Sequence, residues 1–123
     1  MKFFVKQIGD KEYNFRLTSA DVSELEKKAG KNIQEYIMDI SFDRCITLLR
    51  YLRKSSASTF SLTEAQTFVD ELVDEGFSLE TIYTEIIFPA CVESGILTEA
   101  DRNKIMEAIT EQHNKKVEPG QNS

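Results

Sequence analysis

The chain has 123 residues, 41% of them hydrophobic and 29% charged, which is one domain's length and too apolar for wholesale disorder. No apolar run approaches the roughly 20 residues that cross a bilayer, and MKFFVKQIGDKEY breaks off too early for a signal peptide's core; the chain is expected to be cytoplasmic, with no membrane partner. The net charge of −6 is unevenly placed: residues 1–59 hold 11 basic and 8 acidic side chains, and residues 60–123 hold 4 basic and 13 acidic.

KFFVKQI and EYNFRL are rich in aromatic and β-branched residues and flank Gly9-Asp10-Lys11, so they predict a β-hairpin. Tyr13, Phe15 and Leu17 alternate with Glu12, Asn14 and Arg16, giving the second strand one apolar face. Two registers are open. A two-residue Gly-Asp turn pairs Phe4 with Phe15, whereas a three-residue loop sets Phe3 and Val5 opposite Leu17 and Phe15.

After Leu17 the period becomes helical. Thr18 with Asp21 predicts a capped start, Val22, Leu25 and Ala29 share a face, Lys27 and Lys28 occupy the last turn, and Gly30 supplies the stop. Asn32 with Glu35 starts a second helix with the stripe Ile33, Tyr36, Ile37 and Ile40. Ser41 caps a third, whose stripe is Phe42, Cys45, Ile46, Leu49 and Leu52. Lys54 to Ser61 reads as a mobile polar connector.

Thr63 with Gln66 then predicts a helix bearing Ala65, Phe68, Val69, Leu72 and Val73 and closed by Gly76. Ser78 caps the next, ending at Gly95; its wide stripe predicts the most buried helix, and Pro89 is expected to free the carbonyl of Glu85 and bend the axis. Thr98 with Asp101 caps a last helix through Ile105, Met106 and Ile109. The expected fold is α+β and mostly α, an N-terminal β-hairpin followed by a compact bundle of five or six helices. Residues 1–112 form its single domain and 113–123 a disordered tail.

Chemical motifs are tested by their spacing. Gly30-Lys31-Asn32 resembles the end of a phosphate loop, but Leu25 stands where the first glycine belongs and Asn32 replaces the hydroxyl. DELVDEGFSLET resembles a calcium loop, but with Gly76 at its sixth position Val73 and Ile82 fall where oxygen ligands are required. One histidine, His113, and two cysteines 46 positions apart make no ligand pair, so no metal and no cofactor is expected. Cys45 and Cys91 sit in apolar stripes and are expected to be small buried hydrophobes rather than nucleophiles. No catalytic constellation emerges, and the expectation is a protein that is not an enzyme.

Asp70, Glu71, Asp74 and Glu75 remain. Their helical spacing clusters them on a face largely opposite Val69, Leu72 and Val73. They read either as a solvated surface or as a docking face for a basic or helical partner, the candidate partner-binding residues of the chain. With no basic residue between Lys54 and Arg102, nucleic acid is not expected as a partner; a basic protein, or self-association through another copy's N-terminal half, is compatible.

The stretch KEYNFRLTSADVSELEKKAGKN followed by NIQEYIMDI resembles the tail assembly chaperones of long-tailed bacteriophages, particularly those of Gram-positive hosts. The pattern is an aromatic-x-hydrophobic-Arg-Leu-Thr strand end and a helix closing in Leu-Glu-Lys-Lys-x-Gly-Lys-Asn. Tyr13, Phe15, Arg16, Leu17 and Thr18 match the first part, and Leu25, Glu26, Lys27, Lys28, Gly30, Lys31 and Asn32 the second. The likeness runs more loosely to about residue 97; Ala29 replaces a larger apolar residue and Ile33 the usual proline. The resemblance implies a non-enzymatic protein, of the short rather than the frameshifted form. It would bind the long, largely helical phage tape-measure protein in the host cytoplasm, keep it soluble during tail tube assembly, and be absent from the finished virion. Two alternatives come from the residues alone: a small acidic regulatory module that binds a basic protein partner, and an enzyme whose site assembles between subunits.

Overall fold

The computed structural model describes the backbone at residues 2–54 and 60–122, and side chains as far as residue 111. Strands β1 (Phe4–Ile8) and β2 (Lys11–Phe15) pair antiparallel with Phe4 opposite Phe15 and Ile8 opposite Lys11. The two-residue turn is therefore the one adopted. Gly9 alone in it takes positive φ, 62°, the backbone of a type II′ turn whose first central residue is glycine. Alternation places Phe4, Ile8, Tyr13 and Phe15 on the inner face, with Phe15 fully buried, and leaves Val5 exposed on the outer one.

Gly9 is held by contact as well as by conformation. A Cβ there would lie 3.2 Å from Oε2 of Glu75, so alanine would meet both a disfavoured φ and the Glu75 carboxylate. Gly9→Ala is expected to destabilise the fold by about 1–2 kcal/mol. Thermal unfolding of the variant checks this, and an unchanged midpoint would show that the turn tolerates the side chain.

Five helices and one rod of three helical segments follow among the described residues. The sheet hands over to them through Leu17, buried, whose N–H donates to Ser94 Oγ at 3.0 Å, and Arg16, whose N–H donates to the Leu52 carbonyl at 2.9 Å. Helix α1 (Ser19–Ala29) begins with the expected box: Asp21 N–H donates to Thr18 Oγ1 and Thr18 N–H to Asp21 Oδ2, both at 3.1 Å. It ends at Gly30, φ 69°. Helix α2 (Ile33–Met38) opens on the Asn32–Glu35 box, and α3 (Phe42–Lys54) on Ser41, whose Oγ accepts from Arg44 N–H at 3.1 Å. The α3 stripe is Cys45, Leu48, Leu49, Tyr51 and Leu52. Phe42, expected within it, is 49% exposed, although Cys45 at the end of the same turn is fully buried.

Helix α4 (Leu62–Asp74) starts two residues earlier than expected. Ser61 is its cap, with Glu64 N–H donating to Ser61 Oγ at 3.1 Å and Ser61 N–H to Glu64 Oε1 at 2.9 Å. Both Ser61-x-x-Glu64 and Thr63-x-x-Gln66 fit a capping box, and the former adds a carboxylate facing the positive end of the helix. Gly76, φ 98°, closes α4: its N–H reaches the Val73 carbonyl and that of Phe77 the Leu72 carbonyl, each at 3.0 Å. Ala65, Phe68, Val69 and Leu72 face the core, whereas Val73, expected with them, is 45% exposed one step beyond the stripe.

Helix α5 (Leu79–Ile82), a π-helical turn (Tyr83–Ile87) and α6 (Phe88–Glu93) form one continuous rod, capped by Ser78 with Thr81. Ile82, Tyr83, Ile86, Ile87, Phe88, Ala90 and Cys91 are all fully buried, so the rod is the centre of the core. Ahead of Pro89 the ladder widens instead of simply breaking: Phe88 N–H donates to the Tyr83 carbonyl, five residues back. A π turn adds a residue where the proline's missing N–H and its ring would disturb the regular ladder. Helix α7 (Glu99–Asn122) opens on Thr98 and Asp101 as expected and buries Ile105. The connector at 55–59 lies outside the described residues, and the expected tail at 113–123 outside the described side chains.

Candidate functional site

The candidate surface is built where β2 and α4 meet. Tyr13 stacks on Phe68 with ring centroids 5.1 Å apart, and Phe15 and Phe60 lie 6.1 and 6.3 Å from the same ring. Into this cluster α3 sends Arg53, whose guanidinium carbon is 5.1 Å from the Tyr13 ring, 5.6 Å from Phe60 and 5.9 Å from Phe68. Its Nη1 donates to the Asn14 carbonyl at 2.8 Å. Burial lowers the pKa of the Arg53 guanidinium, which stays cationic at neutral pH and is balanced by ring faces and a carbonyl.

Two clefts open on either side of Tyr13, Phe68 and Glu71. One, of about 260 Å³, lies against the hairpin turn and adds Gly9, Asp10, Lys11, Asp74 and Glu75. The other, of about 270 Å³, lies towards the start of α4 and adds Arg53, Phe60, Thr63, Glu64 and Thr67. Together they make one shallow groove with an aromatic floor and an acidic rim. Of the four acids singled out from the sequence, Glu71, Asp74 and Glu75 line it. Asp70 is exposed but lines neither cleft, since it projects roughly 100° around the helix from Glu71.

The rim is charged against its own helix. The C-terminal end of a helix is the negative pole, where bases are favoured and acids are not. Helix α4 has no base in its last turn, and Asp74 and Glu75 sit at its end. Some acids elsewhere do have partners: Asp21 is 3.3 Å from Lys54, Glu85 3.5 Å from Lys6, and Glu24 accepts from the Tyr51 hydroxyl beside Lys28. The Tyr51 hydrogen bond, then Lys28, holds the Glu24 carboxyl below its ordinary pKa. Among the described residues no ion pair engages Glu71, Asp74 or Glu75. Asp74→Lys with Glu75→Lys is therefore expected to raise Tm by about 1–4 °C. A lower Tm would mean that these acids are structural.

The two cysteines are core, and the His113 side chain lies outside the described residues. Cys45 and Cys91 are free and fully buried, and burial pushes each thiol up to about 12, so neither is a thiolate at neutral pH. Among the described residues no group of three or more His, Cys, Asp or Glu is placed to hold a metal ion. No helix among them is long and apolar enough to cross a membrane.

Sequence reasoning found the acids and missed their setting. The Tyr13 and Phe15 alternation marked an inner strand face, but that the face meets Phe68 some 50 residues later is a tertiary pairing with no local signal. Comparison with protein-family models, curated proteins and solved structures returned no match for the chain.

Proposed function

We propose that this protein is a tail assembly chaperone of a long-tailed bacteriophage, an interaction protein without catalytic activity. It binds the tape-measure protein in the host cytoplasm, keeps it soluble while the tail tube assembles, and leaves before the virion is finished. The identity of the partner rests on the spelling of residues 11–32. The observation that carries a binding role is the acidic, aromatic-floored groove, whose acids sit where they weaken the helix that presents them. Acids that lower stability and form no ion pair among the described residues support a ligand outside the chain.

A second reading, a small acidic module that binds a basic protein partner, draws on the same rim, since the stretch from Ser55 to Asp101 carries no base. Gene order separates the two: a tail-tube gene upstream and a very long tape-measure gene downstream support the first. The experimental test is co-purification, in which the tagged chain is co-expressed with the tape-measure protein. The expected result is a complex that survives affinity and size-exclusion steps; a tape-measure protein recovered alone would count against the proposal.

A further inference from the structure

The groove between β2 and α4 has a length, a charge and a floor, and together these specify a ligand more narrowly than acidity does. We infer that it takes one amphipathic helix of a partner protein, laid along α4, with Lys or Arg on the flank facing the rim and an apolar residue seated over Tyr13 and Phe68. This rests on the reading of the protein as an interaction module. It adds the class of segment recognised.

Charge complementarity is the first support. Glu64, Glu71 and Glu75 recur at intervals of seven and four along α4, a stripe down one side of the helix. The stripe extends over eleven residue steps, about 16 Å or three helical turns. A helix packed alongside at the usual 8–10 Å spacing would present Lys or Arg at the same intervals to these carboxylates. Among the described residues, the bases that line the two clefts are Lys11, at the hairpin tip, and Arg53, whose guanidinium is already engaged over the Tyr13 and Phe60 rings.

The floor is the second support. Phe68 is buried and backs the floor, while Tyr13 and Phe60, each half-buried, supply the ring surface that faces the clefts. Such a step accepts an aliphatic or aromatic side chain that a purely charged ligand would not supply. An extended basic tail would satisfy the rim and leave this floor wet.

The test uses the full chain and three synthetic helical peptides of about 15 residues, each labelled for fluorescence anisotropy. One carries Lys on one flank and Leu and Phe on the adjacent face; the second has Glu in place of Lys; the third keeps Lys but has Ser in place of Leu and Phe. Only the first is expected to bind well, with affinity falling as salt is added. Glu71→Lys with Glu75→Lys should weaken it about tenfold or more, whereas Asp70→Lys, outside the groove, should change it by no more than about twofold. Backbone amide shifts on titration should centre on Tyr13, Phe68 and Glu71.

Equal binding of the Glu peptide, full affinity of the double reversal, or amide shifts elsewhere would overturn the inference. So would tight binding of the Ser peptide, which would make the ligand a charged tail. The reversed positions are exposed, so their variants are expected to fold. Co-purification of the tape-measure protein separates the two levels: its capture without peptide binding rejects the groove and leaves the function, and peptide binding without its capture does the reverse.

Discussion

Replacing Phe15 with alanine is expected to lower the free energy of unfolding by about 3–5 kcal/mol. Phe15 is fully buried at the end of β2, and its ring lies 6.1 Å from both Phe4 across the hairpin and Phe68 on α4. Truncation loses the transfer energy of the ring and leaves a cavity at the joint of strand, α3 and α4, beneath the Arg53 guanidinium at 5.8 Å. A domain of this size is stable by about 5–15 kcal/mol, so much of that margin goes. Urea denaturation should give a lower midpoint with an unchanged slope. Val5→Ala, on the exposed face of the same hairpin, is the control and should stay within about 0.5 kcal/mol. A Phe15 loss no larger than that of Val5 would show that the hairpin is not part of the core.

Asp21→Ala is expected to destabilise by about 1–2 kcal/mol for a different reason. Asp21 is 6% exposed and does three things at the strand-to-helix junction. It accepts the Thr18 N–H, places negative charge in the first turn of α1, and meets Lys54 Nζ at 3.3 Å. The Lys54 side chain is half exposed, so the ion pair is the smallest part. Asp21→Asn keeps an acceptor oxygen and should recover about half of the loss. Lys54→Met should cost less than about 1 kcal/mol; if it reproduced the whole effect, the ion pair rather than the capping box would secure the junction.

These two residues also mark what a single sequence could reveal. The capping box at Thr18 and Asp21 was legible because both partners lie within four residues, and the same held for Asn32 with Glu35 and Thr98 with Asp101, while Ser78 was legible as a cap without its partner Thr81. Where two local solutions overlapped, at Ser61 and Thr63, the pattern could not choose. The edges of stripes were less legible still, since Phe42 and Val73 fall within a helical repeat yet outside the surface that neighbouring helices cover. Pro89 announced a break in the ladder, but the π turn that absorbs it depends on the fully buried packing of Tyr83 and Ile87.

The site divides in the same way. Charge is visible in one dimension, so Glu71, Asp74 and Glu75 were found together with Asp70, which lines neither cleft. The floor of Tyr13 and Phe68, the guanidinium that lies over it and the closeness of Gly9 to Glu75 join three distant segments. No periodicity encodes such a meeting. The hairpin's inner face was readable, and its counterpart was not.

Solubility of the tape-measure protein is the most direct measurement. It should be expressed alone, with this chain, and with the chain carrying Glu71→Lys and Glu75→Lys, and the soluble fraction of each lysate compared. The expected result is a large rise in soluble tape-measure protein with the unaltered chain and little or none with the reversed one. A tape-measure protein equally insoluble with and without the chain would contradict the proposed function.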